Sequence, residues 1–172
     1  MAYHSRISHW LVLWLSLLNL TGCDFFIGHP PDEKVSQYFT SHYERFEELK
    51  NMCKTFPNIM EITDDGKAFH LSEKTGAQVI WTDDDMAAKN KMQRLRTVLG
   101  LEAVSCSYYP EVEPEIQGAR FIVDTWGLSV SGGMSAIDYY ENCKPLGNVG
   151  VPDVYSITLP LSKPCWFLYR SW

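Results

Sequence analysis

Residues 32–57 read DEKVSQYFTSHYERFEELKNMCKTFP, and their spacing decides the fold. Apolar or semi-apolar residues recur at Val35, Phe39, His42, Phe46, Leu49, Cys53 and Phe56. Steps that alternate between four and three residues trace one stripe of an α-helix. Glu44, Arg45, Glu47, Glu48 and Lys50 fall on much of the remaining surface. Asp32 is placed to cap the start, Glu33 suits the first turn, and Pro57 stops the run because the residue before a proline avoids helical geometry. A helix with one apolar stripe must bury it, most simply against a sheet. His42 on that stripe reads as a hydrogen-bonded core residue rather than a ligand.

Downstream the pattern repeats once and then changes. Asp64-Asp65-Gly66 is a turn signal, with weak strand signals at residues 68–71 and 78–81. Thr82-Asp83-Asp84-Asp85 resembles a metal-binding run. It is better read as the start of a second helix over Asp83–Leu99, whose acidic first turn complements the helix dipole and whose end is marked by Gly100. From Ala103 the period becomes two: Val104, Cys106 and Tyr108 share one side, as do Ala119, Phe121 and Val123. Gly127–Ser131, Ala136–Tyr140, Tyr155–Leu159 and Trp166–Leu168 continue the strand pattern, with Gly132-Gly133 as a bend. The expected fold is α+β, two amphipathic helices on an antiparallel β-meander of about five strands.

The N-terminal segment follows another logic. Arg6 precedes the apolar run that begins at Trp10, which spans about 11 residues against the roughly 20 of a membrane-crossing helix. Leu20-Thr21-Gly22-Cys23 then places a cysteine after small residues. This stretch resembles the lipobox of bacterial lipoproteins with a type II signal peptide. The resemblance implies cleavage between Gly22 and Cys23, with acyl chains (palmitate among them) on Cys23. Asp24 resembles the residue that retains enterobacterial lipoproteins at the inner membrane, which implies the periplasmic side of that membrane rather than the outer one. The chain thus divides into a signal peptide at 1–22, a lipidated N-terminus and short linker at 23–31, and one globular domain at 32–172. Phe25, Phe26 and Ile27 of the linker suit either the headgroup layer or the domain surface.

Five cysteines occur, and lipidation of Cys23 leaves Cys53, Cys106, Cys143 and Cys165. An even number in an exported chain points to disulfides. Of the three connectivities, Cys53–Cys106 with Cys143–Cys165 is preferred. The first joins the end of a helix to a strand it packs on, and the second closes a loop rich in proline and glycine.

The net charge of −6 becomes −7 once Arg6 is removed (14 basic against 21 acidic residues). An acidic domain has no general attraction for nucleic acid or anionic headgroups, but suits a basic protein partner. Catalytic motifs are missing: there is no GxSxG, GxxxxGK[ST], HExxH or GxGxxG, and no spacing that suggests a metal or cofactor site. Glu111, Glu113 and Glu115 on a proline-bounded loop read as solvated acids able to meet a partner, rather than as a catalytic carboxylate pair. Aromatic residues crowd the second half, and Trp126 and Trp166 are the candidates for an outward, partner-binding face.

The run Gly127–Gly132, with Trp166-Phe167-Leu168-Tyr169 near the end, is similar to small bacterial lipoproteins, some of which resemble immunity partners of secreted antibacterial toxins. The expected function is a non-enzymatic protein-binding lipoprotein of the cell envelope, with immunity as its most specific form. The alternatives are a structural or assembly lipoprotein of an envelope or secretion complex, and a cell-wall hydrolase or ligand-binding module.

Overall fold

The computed structural model describes residues 30–70, 80–108, 117–126, 132–145, 150, 152 and 155–172. The chain divides into two units, Met1–Pro31 and Asp32–Trp172, and the fold described is that of the second. In order it comprises α1 (Asp32–Ser41), α2 (Tyr43–Thr55), β1 (Ile59–Thr63), β2 (Ala68–His70), α3 (Asp83–Val98), β3 (Ala103–Ser107), β4 (Gly118–Trp126), β5 (Gly133–Tyr140), β6 (Ser156–Pro160) and β7 (Trp166–Ser171). The strands form one antiparallel sheet of seven, ordered β2-β1-β3-β4-β5-β7-β6.

The α+β class stands, and three details change. The sheet is wider than a five-stranded meander because β1 and β2, both ahead of α3, extend it beyond β3. It is also not a simple meander, since β7 returns between β5 and β6. Finally, the long apolar stripe runs through two helices. At His42 the backbone leaves helical values (φ −118°, ψ 14°), where the Thr40 and Ser41 hydroxyls bond to the Ser36 and Tyr38 carbonyls. Side chains that capture nearby carbonyls weaken the helix locally. The stripe survives the break, with Val35, Phe39, Phe46, Leu49 and Cys53 all buried. His42 is half-buried, and its Nδ1 lies 3.0 Å from the Tyr38 carbonyl oxygen.

The core lies between the helices and one face of the sheet. Phe39 and Phe46 meet Trp166 and Phe121, with Phe39–Trp166 and Phe46–Phe121 ring centres 5.1 and 5.4 Å apart and Phe121 stacked on Trp166 at 5.6 Å. α3 packs on α2 and β1, which places it over the same face. Its start is a capping box: the Thr82 hydroxyl accepts from the Asp85 N–H at 3.0 Å, and Asp85 accepts from the Thr82 N–H at 3.2 Å. That arrangement accounts for Asp85, a buried acid of the apparent metal run. Gly100 follows at φ +56°, a left-handed conformation that glycine adopts without strain.

A half-buried polar group lies at this interface. Glu47 on α2 accepts from the Tyr43 hydroxyl (2.9 Å), the Trp166 indole N–H (3.2 Å) and the Lys50 ammonium (2.6 Å). Burial opposes its charge, yet the bonds from Lys50 and Tyr43 hold its pKa below the usual glutamate value. Burial pushes the Tyr43 hydroxyl up to about 12, helped by its bond to Glu47 and that residue's charge. Two disulfides complete the framework. Cys53–Cys106 ties α2 to β3, and Cys143–Cys165 ties the segment after β5 to the start of β7. No helix among the described residues is long and apolar enough to cross a membrane.

Candidate functional site

Period-two alternation gives every central strand a second face, and among the described residues no helix packs on it. The register aligns one row across that face: Glu61, Ser105, Arg120, Asp138, Phe167 and Pro160. Adjacent strands lie about 4.8 Å apart, so neighbours in such a row touch directly. The next row brings Ser107, Gly118 and Tyr140 together.

At the centre, Arg120 grips Asp138 with two parallel bonds. Nε donates to Oδ1 and Nη2 to Oδ2, each at 2.8 Å. The Tyr140 hydroxyl adds a third bond to Oδ2 at 3.1 Å, and the Tyr169 ring lies 4.4 Å beneath the guanidinium carbon. Asp138 is 2 % exposed, whereas the Arg120 side chain is 32 % exposed. Burial works against the charge on Arg120, but the bonds and charge of Asp138 outweigh it and raise its pKa further. Bidentate geometry with a stacked aromatic is what makes arginine, and not lysine, suited to this position.

Beside the pair is a hollow of about 150 Å³, bounded by Ser105, Ser107, Gly118, Arg120, Asp138 and Tyr140. Gly118 on its rim is fixed as glycine by the neighbouring strand. A Cβ there would lie 2.0 Å from the Tyr139 carbonyl oxygen, so the backbones approach too closely for any side chain. The hollow therefore brings the Ser105 and Ser107 hydroxyls together with a guanidinium that gives Asp138 one bond from Nε and one from Nη2. A guanidinium has five N–H donors in all, so this surface favours an acceptor: a carboxylate, a backbone carbonyl or a side-chain amide oxygen. A wider hollow of about 490 Å³ lies at the break between α1 and α2, where the Lys163 ammonium sits 4.6 Å over the Tyr43 ring.

The residues singled out from sequence fare differently. Trp166 is not an outward aromatic. It is 1 % exposed on the helix-covered face, and its indole N–H is used by Glu47. Trp126 ends β4 and is half-buried, its indole lying over Gly133. The two do not form one surface, because β5 pairs Trp126 with Gly133 and Trp166 with Tyr139. Six strand residues separate those positions, roughly 20 Å. Gly22, Cys23, Asp24, Glu111, Glu113 and Glu115 lie outside the described residues. The four remaining cysteines pair as the sequence reading preferred, Cys53 with Cys106 and Cys143 with Cys165.

Arg120, Asp138 and Tyr140 were not among the candidates. Their signal was present: Arg120 is the lone charge inside ARFIV, and Asp138 the lone charge inside AIDYY. A lone charge in each of two apolar strands marks both as unusual, but only the register between β4 and β5 joins them as a pair. The described residues contain no group of three or more His, Cys, Asp or Glu side chains placed to hold a metal ion. No protein-family model, curated protein or solved structure matches the chain.

Proposed function

We propose that the protein is an envelope lipoprotein, anchored through acyl chains on Cys23, that binds another protein without catalysing a reaction. In its most specific form it is an immunity protein that occludes a basic secreted toxin. The observation that carries the reading is the helix-free face, where Arg120 is fixed by Asp138 and Tyr169 while about a third of its side chain, 32 %, stays exposed. A group pre-ordered in this way loses little side-chain freedom when a partner acceptor docks. The groups facing Ser105 and Ser107 are a guanidinium and the carboxylate it already holds, which suits binding better than proton transfer. The net charge of −7 that remains from Cys23 onward (14 basic against 21 acidic residues) favours a basic partner and speeds its approach.

The hollow also supports the ligand-binding alternative, since its size admits a small acceptor group. Two experiments separate these readings. Cells fed a clickable palmitate should label the protein, and Cys23→Ser should abolish the label; persistence of labelling in that variant would refute the anchor. Cells lacking the protein should lose survival when a sibling strain delivers the cognate toxin, and Arg120→Glu should fail to restore it. Full protection by Arg120→Glu would remove the helix-free face from the proposal.

A further inference from the structure

We infer that the end of the sheet bearing Trp126, Tyr155 and Trp172 rests on the phospholipid surface, with these side chains in the headgroup layer. The inference builds on the acylation of Cys23 proposed above. Its starting point is the course of α1, which runs antiparallel to β7. Asp32 at its start pairs with Arg170 at 2.5 Å, Phe39 near its end lies 5.1 Å from Trp166, and Thr40 reaches Ser162 at 3.3 Å. The chain therefore joins the domain at the end of the sheet where β7 finishes.

That same end carries three aromatics, one on β4 and one each beside β6 and β7. Trp126 on β4 is in register with Gly133 on β5, and Met134, the next residue of β5, is in register with Ser171 on β7. One step further, the Trp172 N–H donates to the Tyr155 carbonyl, just before β6, at 3.0 Å. Tyr155 is 71 % exposed and Trp172 50 %. Trp126 is half-buried over Gly133, where an added Cβ would come within 2.5 Å of its ring. At the opposite end, around the Cys143–Cys165 disulfide, the described residues include none of the exposed large hydrophobic side chains. Lys54, Glu141, Asn142 and Lys144 are exposed there instead.

Tether and surface thus agree. Eight residues lie between Cys23 and Asp32, nine Cα–Cα steps with a contour of at most roughly 32 Å, so acyl chains on Cys23 keep this end nearest the lipid. Tryptophan and tyrosine favour the headgroup layer, where an apolar ring and a polar atom are both satisfied. An aromatic end turned to the membrane leaves the polar end and the helix-free face directed to the aqueous side. This geometry names the bilayer, rather than a second protein, as the occupant of the aromatic end.

The test uses the intact protein purified from its own membrane and placed in phosphatidylethanolamine–phosphatidylglycerol vesicles. One lipid chain carries bromine near the glycerol, which quenches tryptophans at that depth. Four tryptophans lie beyond Cys23. The expected result is partial quenching, roughly half of which is lost in Trp172→Phe and most in Trp126→Phe with Trp172→Phe. Trp81→Phe, a tryptophan preceding α3, should leave the quenched portion unchanged. The mass of the N-terminal peptide is measured on the same sample. Acyl chains without quenching, or quenching indifferent to both variants, overturns the inference while the anchored reading survives. A peptide without acyl chains overturns both.

Discussion

The two faces of the sheet are held by different physics, although the same strands build both. On the helix-covered face, Phe121, Ile137, Trp166 and Leu168 are almost wholly buried and pack against Phe39, Phe46 and Leu49. On the other face, a buried carboxylate is matched by one guanidinium, one tyrosine hydroxyl and an aromatic ring. The first arrangement gains from area removed from water and from close packing. The second gains little net energy, because desolvating the charges offsets most of their attraction. Stability therefore belongs to the covered face, and on the proposed reading selectivity belongs to the other. Shifting β4 by one residue would exchange Phe121 for Arg120 at the core, so register is enforced by the cost of that exchange.

The comparison can be broken most directly at Trp166. Trp166→Ala should cost about 5 kcal/mol in a denaturant titration followed by circular dichroism, the upper end for a large core aromatic. Besides the cavity, it strips one donor from Glu47. Next comes the covalent tie beneath the same face. The sequence separation of 53 between Cys53 and Cys106 sets the loop, and replacing both by Ala should cost about 4 kcal/mol by the chain-entropy relation.

The helix-free face should respond less. Asp138→Ala leaves Arg120 without its partner, and because that side chain is partly solvated the expected loss is about 2–3 kcal/mol. The pair Arg120→Met with Asp138→Leu should come within about 1 kcal/mol of the native protein while losing partner binding. Equal losses for Asp138→Ala and Trp166→Ala would erase the distinction between the faces.

Titration sharpens it further. The Glu47 carboxyl has a lowered folded pKa, so its contribution is present above the ordinary value of 4.5 and is lost as pH falls through the folded value. Tyr43 behaves oppositely: its contribution is complete below 10 and fades as pH rises towards about 12. Tyr43→Phe should flatten the alkaline limb of the stability curve, and Glu47→Gln the acid limb. Smallest of all, Lys54→Ala and Lys91→Ala break exposed pairs with Glu141 and Glu48 and should each change stability by less than about 1 kcal/mol.

Much of the covered face was legible in the sequence. The four-three stripe from Val35 to Cys53 predicted which helix residues are buried, and the break at His42 did not disturb it because the phase carries across. Thr82–Asp85 was legible as a helix start since a capping box is a local motif. β1 was not, because IMEIT is short and its apolar residues do not alternate cleanly. The insertion of β7 between β5 and β6 could not be read either, as periodicity identifies strands and not their neighbours. Trp166 was misplaced for the same reason: alternation groups it with Leu168 but leaves open which side the helices cover. The ion pair of Arg120 and Asp138 depends on register between β4 and β5, information that exists only once the strands are paired.

The antiparallel course of α1 along β7 has a mechanical corollary. Force transmitted from the N-terminal side acts first on Asp32, so it peels α1 from its leading turn, parting Asp32 from Arg170 before it reaches Val35 and Phe39. Unravelling proceeds through α2 only as far as Cys53, whose bond to Cys106 passes the load straight to β3 in the middle of the sheet. The 21 residues 32–52 are all that can pay out before that stop, a contour of roughly 70–75 Å. An optical-trap record should contain one early lengthening of that contour less the span α1 and α2 already cover, and adding a reductant should let the polypeptide run on past it.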